Sequence, residues 1–164
     1  MALTVEDGSI VAGAESYCTV AFADTYHTNR GNTAWTGTDA VKEAALRKAT
    51  DYMLQVYRDR WQGYRAEDGQ PLDWPRGWVV VDGFAVDNDI VPTEVKNACA
   101  ELALRSLSAN LYADQGQLKS RIKVGPIETE YAAGSGQTKR YPAIESMLRP
   151  YLAHPAGTLT AIRS

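Results

Sequence analysis

The chain of 164 residues is 45% hydrophobic and 23% charged, long enough for one domain with a packed core that needs neither metal nor disulfide, and far from the composition of disordered chains. Seventeen Lys and Arg against 20 Asp and Glu leave a net charge of -3, which argues against wholesale electrostatic binding to nucleic acid or membrane but leaves room for a local basic patch. No stretch approaches the ~20 apolar residues of a membrane-spanning helix, and the acidic pair Glu6-Asp7 without a basic flank is unlike a secretory leader, so the chain is expected in the cytoplasm unless it leaves inside an assembly.

Residues 1–18 read as a turn-rich lead-in around Gly8 and Gly13, with room for one short strand. From Val20 to Arg30 the spacing of Val20, Ala23 and Tyr26, with Phe22 one turn before Tyr26, predicts a helix capped by Thr19 and stopped by Gly31. Thr38 or Asp39 then opens the clearest helix, with Val41, Ala45, Ala49, Tyr52, Met53, Val56 and Tyr57 on one face, expected to run to about Trp61 and to close at Gly63.

From there to Asp89 helix signals are scarce, and Gly69, Trp74-Pro75, Gly77, Gly83 and the apolar run Trp78–Val81 predict a long structured loop with one short strand. Its aromatic residues (Trp61, Tyr64, Trp74, Trp78, Phe84) favour ordered packing. Pro92 is placed at the first position of a third helix, with a stripe of Val95, Ala98, Cys99, Leu102, Ala103 and Leu107 reaching about Tyr112.

Between Leu118 and Tyr131 the period changes to two, which predicts a strand broken or kinked at Gly125-Pro126 that aligns Lys119, Arg121 and Lys123 on one face. A Gly- and Ser-rich loop to Arg140 follows, then a short helix opened by Pro142, and a loose tail over 153–164. The expected fold is mainly α, a small bundle of about four helices with a short strand or hairpin element and long structured loops, in a single domain over 1–164.

Chemistry is sparse in this pattern. Cys18 and Cys99 read as buried, free small hydrophobes, and His27 and His154 as surface residues with no local partner for a relay or a zinc site. Gly134–Lys139 lacks the order of a phosphate-binding loop, and the carboxylates fall on solvated faces or in turns. No enzyme activity, cofactor or metal is therefore expected. The alternation Lys119, Arg121, Lys123, followed by Lys139-Arg140, is the charge feature that could track a phosphate backbone, or else a solvated edge. Stacking of bases on Trp61, Tyr64, Trp74 and Trp78 competes with plain packing.

Several strings together resemble a family. Val5-Glu6-Asp7-Gly8 with Val11–Tyr17, the helix Lys42–Tyr52, the loop Leu72-Asp73-Trp74-Pro75-Arg76, and Ile90–Lys96 running on into Glu101–Leu104 are similar to small head–tail connector (adaptor or head-completion) proteins of tailed bacteriophages. Such chains are sometimes labelled DnaT-like single-stranded-DNA-binding proteins. The resemblance spans about Leu3 to Leu152, and departs from the family where Phe22 stands three residues after the helix cap Thr19 in place of a glutamate.

The resemblance implies a structural virion protein at the head–tail interface, assembled in the host cytoplasm. It would form a dodecameric ring on the portal protein, offer a platform to the next tail component and let genomic DNA pass without sequence preference. On that reading Lys119, Arg121, Lys123, Lys139 and Arg140 could line the channel. Trp74, Pro75, Arg76, His154 and Arg163 could make subunit or portal contacts. The alternative is a single-stranded-DNA-binding module of replication; no membrane partner is implied.

Overall fold

The structure is a computed structural model and describes residues 2–112 and 141–153, together with the backbone of 121–124 and 127–130. Four α-helices carry the core: α1 (Val20–Thr28), α2 (Asp39–Tyr57), α3 (Thr93–Ser106) and α4 (Pro142–Leu148). Helix α3 is central, packing most extensively on α2 and also touching α1 and α4. Val95, Ala98, Cys99, Leu102 and Ala103 of α3 and Ala45, Leu46, Ala49 and Met53 of α2 are all buried. The small residues among them let the two backbones approach closely, while the long ones fill the gaps between turns.

Local chemistry explains the helix ends. The Thr19 hydroxyl accepts from the Phe22 amide at 3.1 Å and caps α1, and the Phe22 and Tyr26 rings stack one turn apart at 6.5 Å. Helix α2 stops at Tyr57 and tightens into a 3₁₀ turn, Arg58–Arg60. Pro92 caps α3 instead of occupying its first position, and α3 ends at Ser106, six residues short of Tyr112. There the Ser106 and Ser108 hydroxyls donate to the carbonyls of Ala103 and Arg105, competing with the backbone ladder.

The lead-in is organised by one buried acid. Glu6 Oε1 accepts from the Gly8 and Ile10 amides (2.9 and 3.0 Å) and Oε2 from the Val11 amide (3.0 Å), and Val5 bridges Ser16 in parallel. Gly8, at φ +117°, lies so close to Asp89 that an added Cβ would sit 1.9 Å from its carbonyl oxygen. The lead-in is thereby seated on the end of the long loop.

His27 is buried, not at the surface. Its Nε2 donates to the Ala100 carbonyl at 3.1 Å, its Nδ1 accepts from Asn32 at 3.0 Å, and the ring lies 4.9 Å from that of Trp35. Both ring nitrogens are thus satisfied in the neutral form, and burial lowers its pKa. Cys18 and Cys99 are buried and free, as expected, but they are also neighbours across the lead-in and α3. Hydrogen bonding from Cys18 and the Thr50 hydroxyl holds the Cys99 thiol below its ordinary range, and acting as that donor raises Cys18.

The expected kinked strand is a hairpin. Strand β5 (Arg121–Val124) pairs antiparallel with β6 (Ile127–Glu130), Val124 opposite Ile127, and Gly125-Pro126, where the break or kink was expected, lies outside the described residues. The register sets Arg121 opposite Glu130 and Lys123 opposite Glu128. Each cation of β5 thus meets a carboxylate position on β6, and the four formal charges cancel.

Candidate functional site

The segment 58–90 is ordered throughout, by short ladders and by polar side chains that do the work of a sheet. Strand β1 (Tyr64–Arg65) pairs with β2 (Arg76–Gly77), and β3 (Val80–Val81) with β4 (Phe84–Ala85). Asp82 and Gly83, at φ +53° and +86°, make the two-residue turn between β3 and β4 that matches strand twist. The Asp-Gly pair between apolar residues is a sequence signal for this hairpin, and the reading of one lone strand passed over it.

Beneath these ladders lies a buried polar frame. Arg76 donates from Nε to the Gln62 carbonyl (2.8 Å), from Nη1 to the Asp73 carbonyl (3.2 Å) and from Nη2 to the Gly63 carbonyl (2.8 Å). The Asp73 carboxylate accepts from Arg58 Nε (3.0 Å) and Trp61 Nε1 (3.3 Å), and its amide donates to the Tyr17 hydroxyl (3.1 Å). Gln70 Nε2 bridges the carbonyls of Leu72 and Pro75 while its Oε1 accepts from the Glu67 amide. Backbone groups that a loop would leave to water are satisfied inside.

The end of α4 joins this frame. After the 3₁₀ turn Arg149–Tyr151, Leu152 bridges Trp61, the Gln62 amide donates to the Tyr151 carbonyl (2.9 Å), and the Ala153 amide donates to the Arg60 carbonyl (2.7 Å).

The five aromatic residues of this segment divide sharply. Trp74 is fully buried and Trp61 nearly so, their rings edge-to-face at 5.6 Å, with Tyr151 against the other side of Trp74. Tyr64, Trp78 and Phe84 are 74%, 87% and 78% exposed. Of the two competing readings of these rings, plain packing holds for Trp61 and Trp74, which bases cannot reach, whereas Tyr64 and Trp78 are open to stacking. Trp74, Pro75 and Arg76 form an ordered loop, as anticipated, but all three are interior residues, and a subunit contact through their side chains does not fit the fold. The large apolar side chains that this segment exposes are instead Trp78 and Phe84. Of the other residues singled out, Lys119, Lys139, Arg140, His154 and Arg163 lie outside the described residues, and Arg121 and Lys123 are described by backbone register alone.

Trp78 stands out for its backbone as well. It sits at φ +62°, a left-handed conformation costly for a bulky residue, on the order of 1–3 kcal/mol. Gly63 lies alongside: also left-handed, it passes so close to β2 that an added Cβ would lie 2.0 Å from the Gly77 carbonyl oxygen. Trp78 thus combines a strained backbone with a nearly fully exposed indole.

Beside these rings opens a cavity of about 240 Å³ lined by Arg58, Tyr64, Arg65, Asp73 and Arg76. Three guanidiniums face one carboxylate, a formal excess of two positive charges. A larger cavity, about 430 Å³, lies between α2 and residues 106–112, but its Lys48 and Asp51 cancel. Among the described residues no cluster of His, Cys, Asp and Glu is suited to a metal ion, and no helix is long and apolar enough to cross a membrane.

A family model described as "Putative DnaT-like ssDNA binding protein" matches residues 1–164. No curated protein and no solved structure matches the chain. The family match corresponds to the second of the two labels implied by the sequence resemblance, and it carries nothing about a portal, a tail or a ring.

Proposed function

The chain belongs to the DnaT-like family of single-stranded-DNA-binding proteins, and from that premise we propose that it is a non-catalytic module that holds single-stranded DNA on the face formed by residues 58–85. The observation that carries this reading is the exposed, strained Trp78, which follows directly on Gly77, the partner of Tyr64 in the β1–β2 ladder, while Tyr64 shares a cavity wall with the cations Arg58 and Arg65. Single strands are bound where aromatic faces stack bases and cations follow the backbone, each stacked base contributing about 1–3 kcal/mol. The hairpin β5–β6 suits this task less, because Arg121 and Lys123 stand opposite Glu130 and Glu128.

Fluorescence anisotropy of a labelled oligothymidylate tests the reading. Trp78→Gly removes the stacking ring, and the expected loss of affinity is about tenfold, at the lower half of the stacking range. The same change relieves the left-handed strain, so stability stays level or rises by up to about 1 kcal/mol. Unchanged affinity in this variant would exclude Trp78 from the interface and with it the reading.

A second reading, an adaptor ring between portal and tail, is favoured by one feature of the same segment: Trp78, Val80 and Phe84 are three exposed large apolar side chains within seven residues, and exposed apolar surface suits protein partners. Mass photometry with and without the cognate portal separates the two. A ring-sized species or co-elution with portal, without oligonucleotide binding, selects the adaptor; a monomer that binds oligonucleotide selects the module.

A further inference from the structure

We propose that the arginine-lined cavity is a site for a phosphate monoester, and that its ligand is the terminal phosphate of a single strand whose last base stacks on Tyr64. The inference rests on the strand-binding reading for the source of the phosphate, not for the existence of the site.

Charge is the first argument. Arg58, Arg65 and Arg76 against Asp73 leave a formal excess of two in the cavity wall, which matches a monoester dianion better than the single charge of an internal phosphodiester. Supply of donors is the second. Arg58 spends its Nε on Asp73 (3.0 Å), and Arg65 its Nη1 on the Gln70 carbonyl (3.1 Å). Among the described residues the remaining N–H groups of both have no recorded acceptor, and forked guanidiniums are the side chains best shaped to hold phosphate oxygens.

Preorganisation is the third. Arg76 is buried and fixed by three backbone carbonyls, so its position costs nothing further on binding. Burial lowers its pKa from the ordinary value, with Asp73 opposing that shift; an anion in the cavity would supply the counter-charge that burial withholds. Tyr64, 74% exposed at the rim, provides the ring for an adjoining base.

The test uses the full chain and three otherwise identical oligothymidylates ending in a 5′-phosphate, a 3′-phosphate or hydroxyls alone, with inorganic phosphate and thymidine monophosphate followed separately by ³¹P line broadening. At least one phosphorylated oligonucleotide is expected to bind about fivefold or more tightly than the hydroxyl form, as two charge-assisted hydrogen bonds would give. Arg58→Gln and Arg65→Gln, both at exposed positions, should weaken every oligonucleotide but abolish that ratio, the phosphorylated forms losing about fivefold more affinity than the hydroxyl form. Arg76, being part of the frame, is left intact.

If inorganic phosphate broadens in an arginine-dependent way but no oligonucleotide binds, the cavity stands, its ligand is a free phosphate compound, and the strand-binding reading falls. If oligonucleotides bind without end preference and neither phosphate nor the monophosphate broadens, the cavity inference is overturned and strand binding survives.

Discussion

Buried and neutral, His27 makes the folded chain sensitive to acid. Its folded pKa is lowered by burial, whereas an unfolded histidine titrates near about 6.5. Below that value the unfolded state takes up a proton that the native state refuses, so stability falls as pH drops from about 6.5 towards the depressed native value. His27→Gln, which does not titrate, should show a smaller fall in Tm between pH 7 and pH 5 than the parent chain; equal slopes would exclude His27 as the source.

The same residue shows why single positions were hard to read. A histidine at the polar end of an amphipathic helix looks solvated until Trp35 and the Ala100 carbonyl, both remote in sequence, close over it. Trp74 and Trp78 are the same residue type four positions apart in one loop, and composition cannot tell the buried one from the exposed one. Glu6 read as an acidic mark against a leader, but it is the acceptor that shapes residues 8–11. In each case the deciding partner is a backbone group or a distant ring, which leaves no trace in local periodicity.

At the level of elements, what repeats was legible and what is held by side chains was not. The stripes of α2 and α3, apart from Val41, which is 46% exposed, and the Thr19 cap follow from spacing alone, because an apolar stripe of helical period has one way to be buried, whereas Pro92 proved to be the cap of α3 and not its first residue. The segment 58–90 lacks such a period. Gln62, Gln70, Asp73 and Arg76 are residue types of solvated turns, and they act here as its internal scaffold.

Gly63 is where this scaffold has least tolerance. Gly63→Ala would drive a methyl into the Gly77 carbonyl and impose a left-handed φ on alanine, with an expected loss of about 2–4 kcal/mol. Urea unfolding should show this as a lower midpoint with an unchanged m-value. Oligonucleotide affinity should fall with it, because Trp78 follows directly on Gly77.

For the whole molecule, a net charge of -3 sets the character of binding. With two or three arginines at the candidate face, the slope of log affinity against log salt for a single strand is expected near -2, by about 0.7 per phosphate neutralised. Anisotropy titrations between about 50 and 200 mM salt, over which the Debye length falls by about half, check this. A slope steeper than about -5 would require a phosphate track that the described face does not contain, and would move attention to the basic residues of 113–140.

The lacing of residues 60–62 to 151–153 has a consequence for the order in which the molecule is made. Roughly ninety residues separate the two strips, so at ribosomal speeds of about 5–20 residues per second the first waits several seconds or more for the second. Helices α1 and α2 are complete in the nascent chain well before the floor beneath Trp61 and Gln62 is laid. The indole-bearing surface therefore stays without its floor until residues 151–153 have been made.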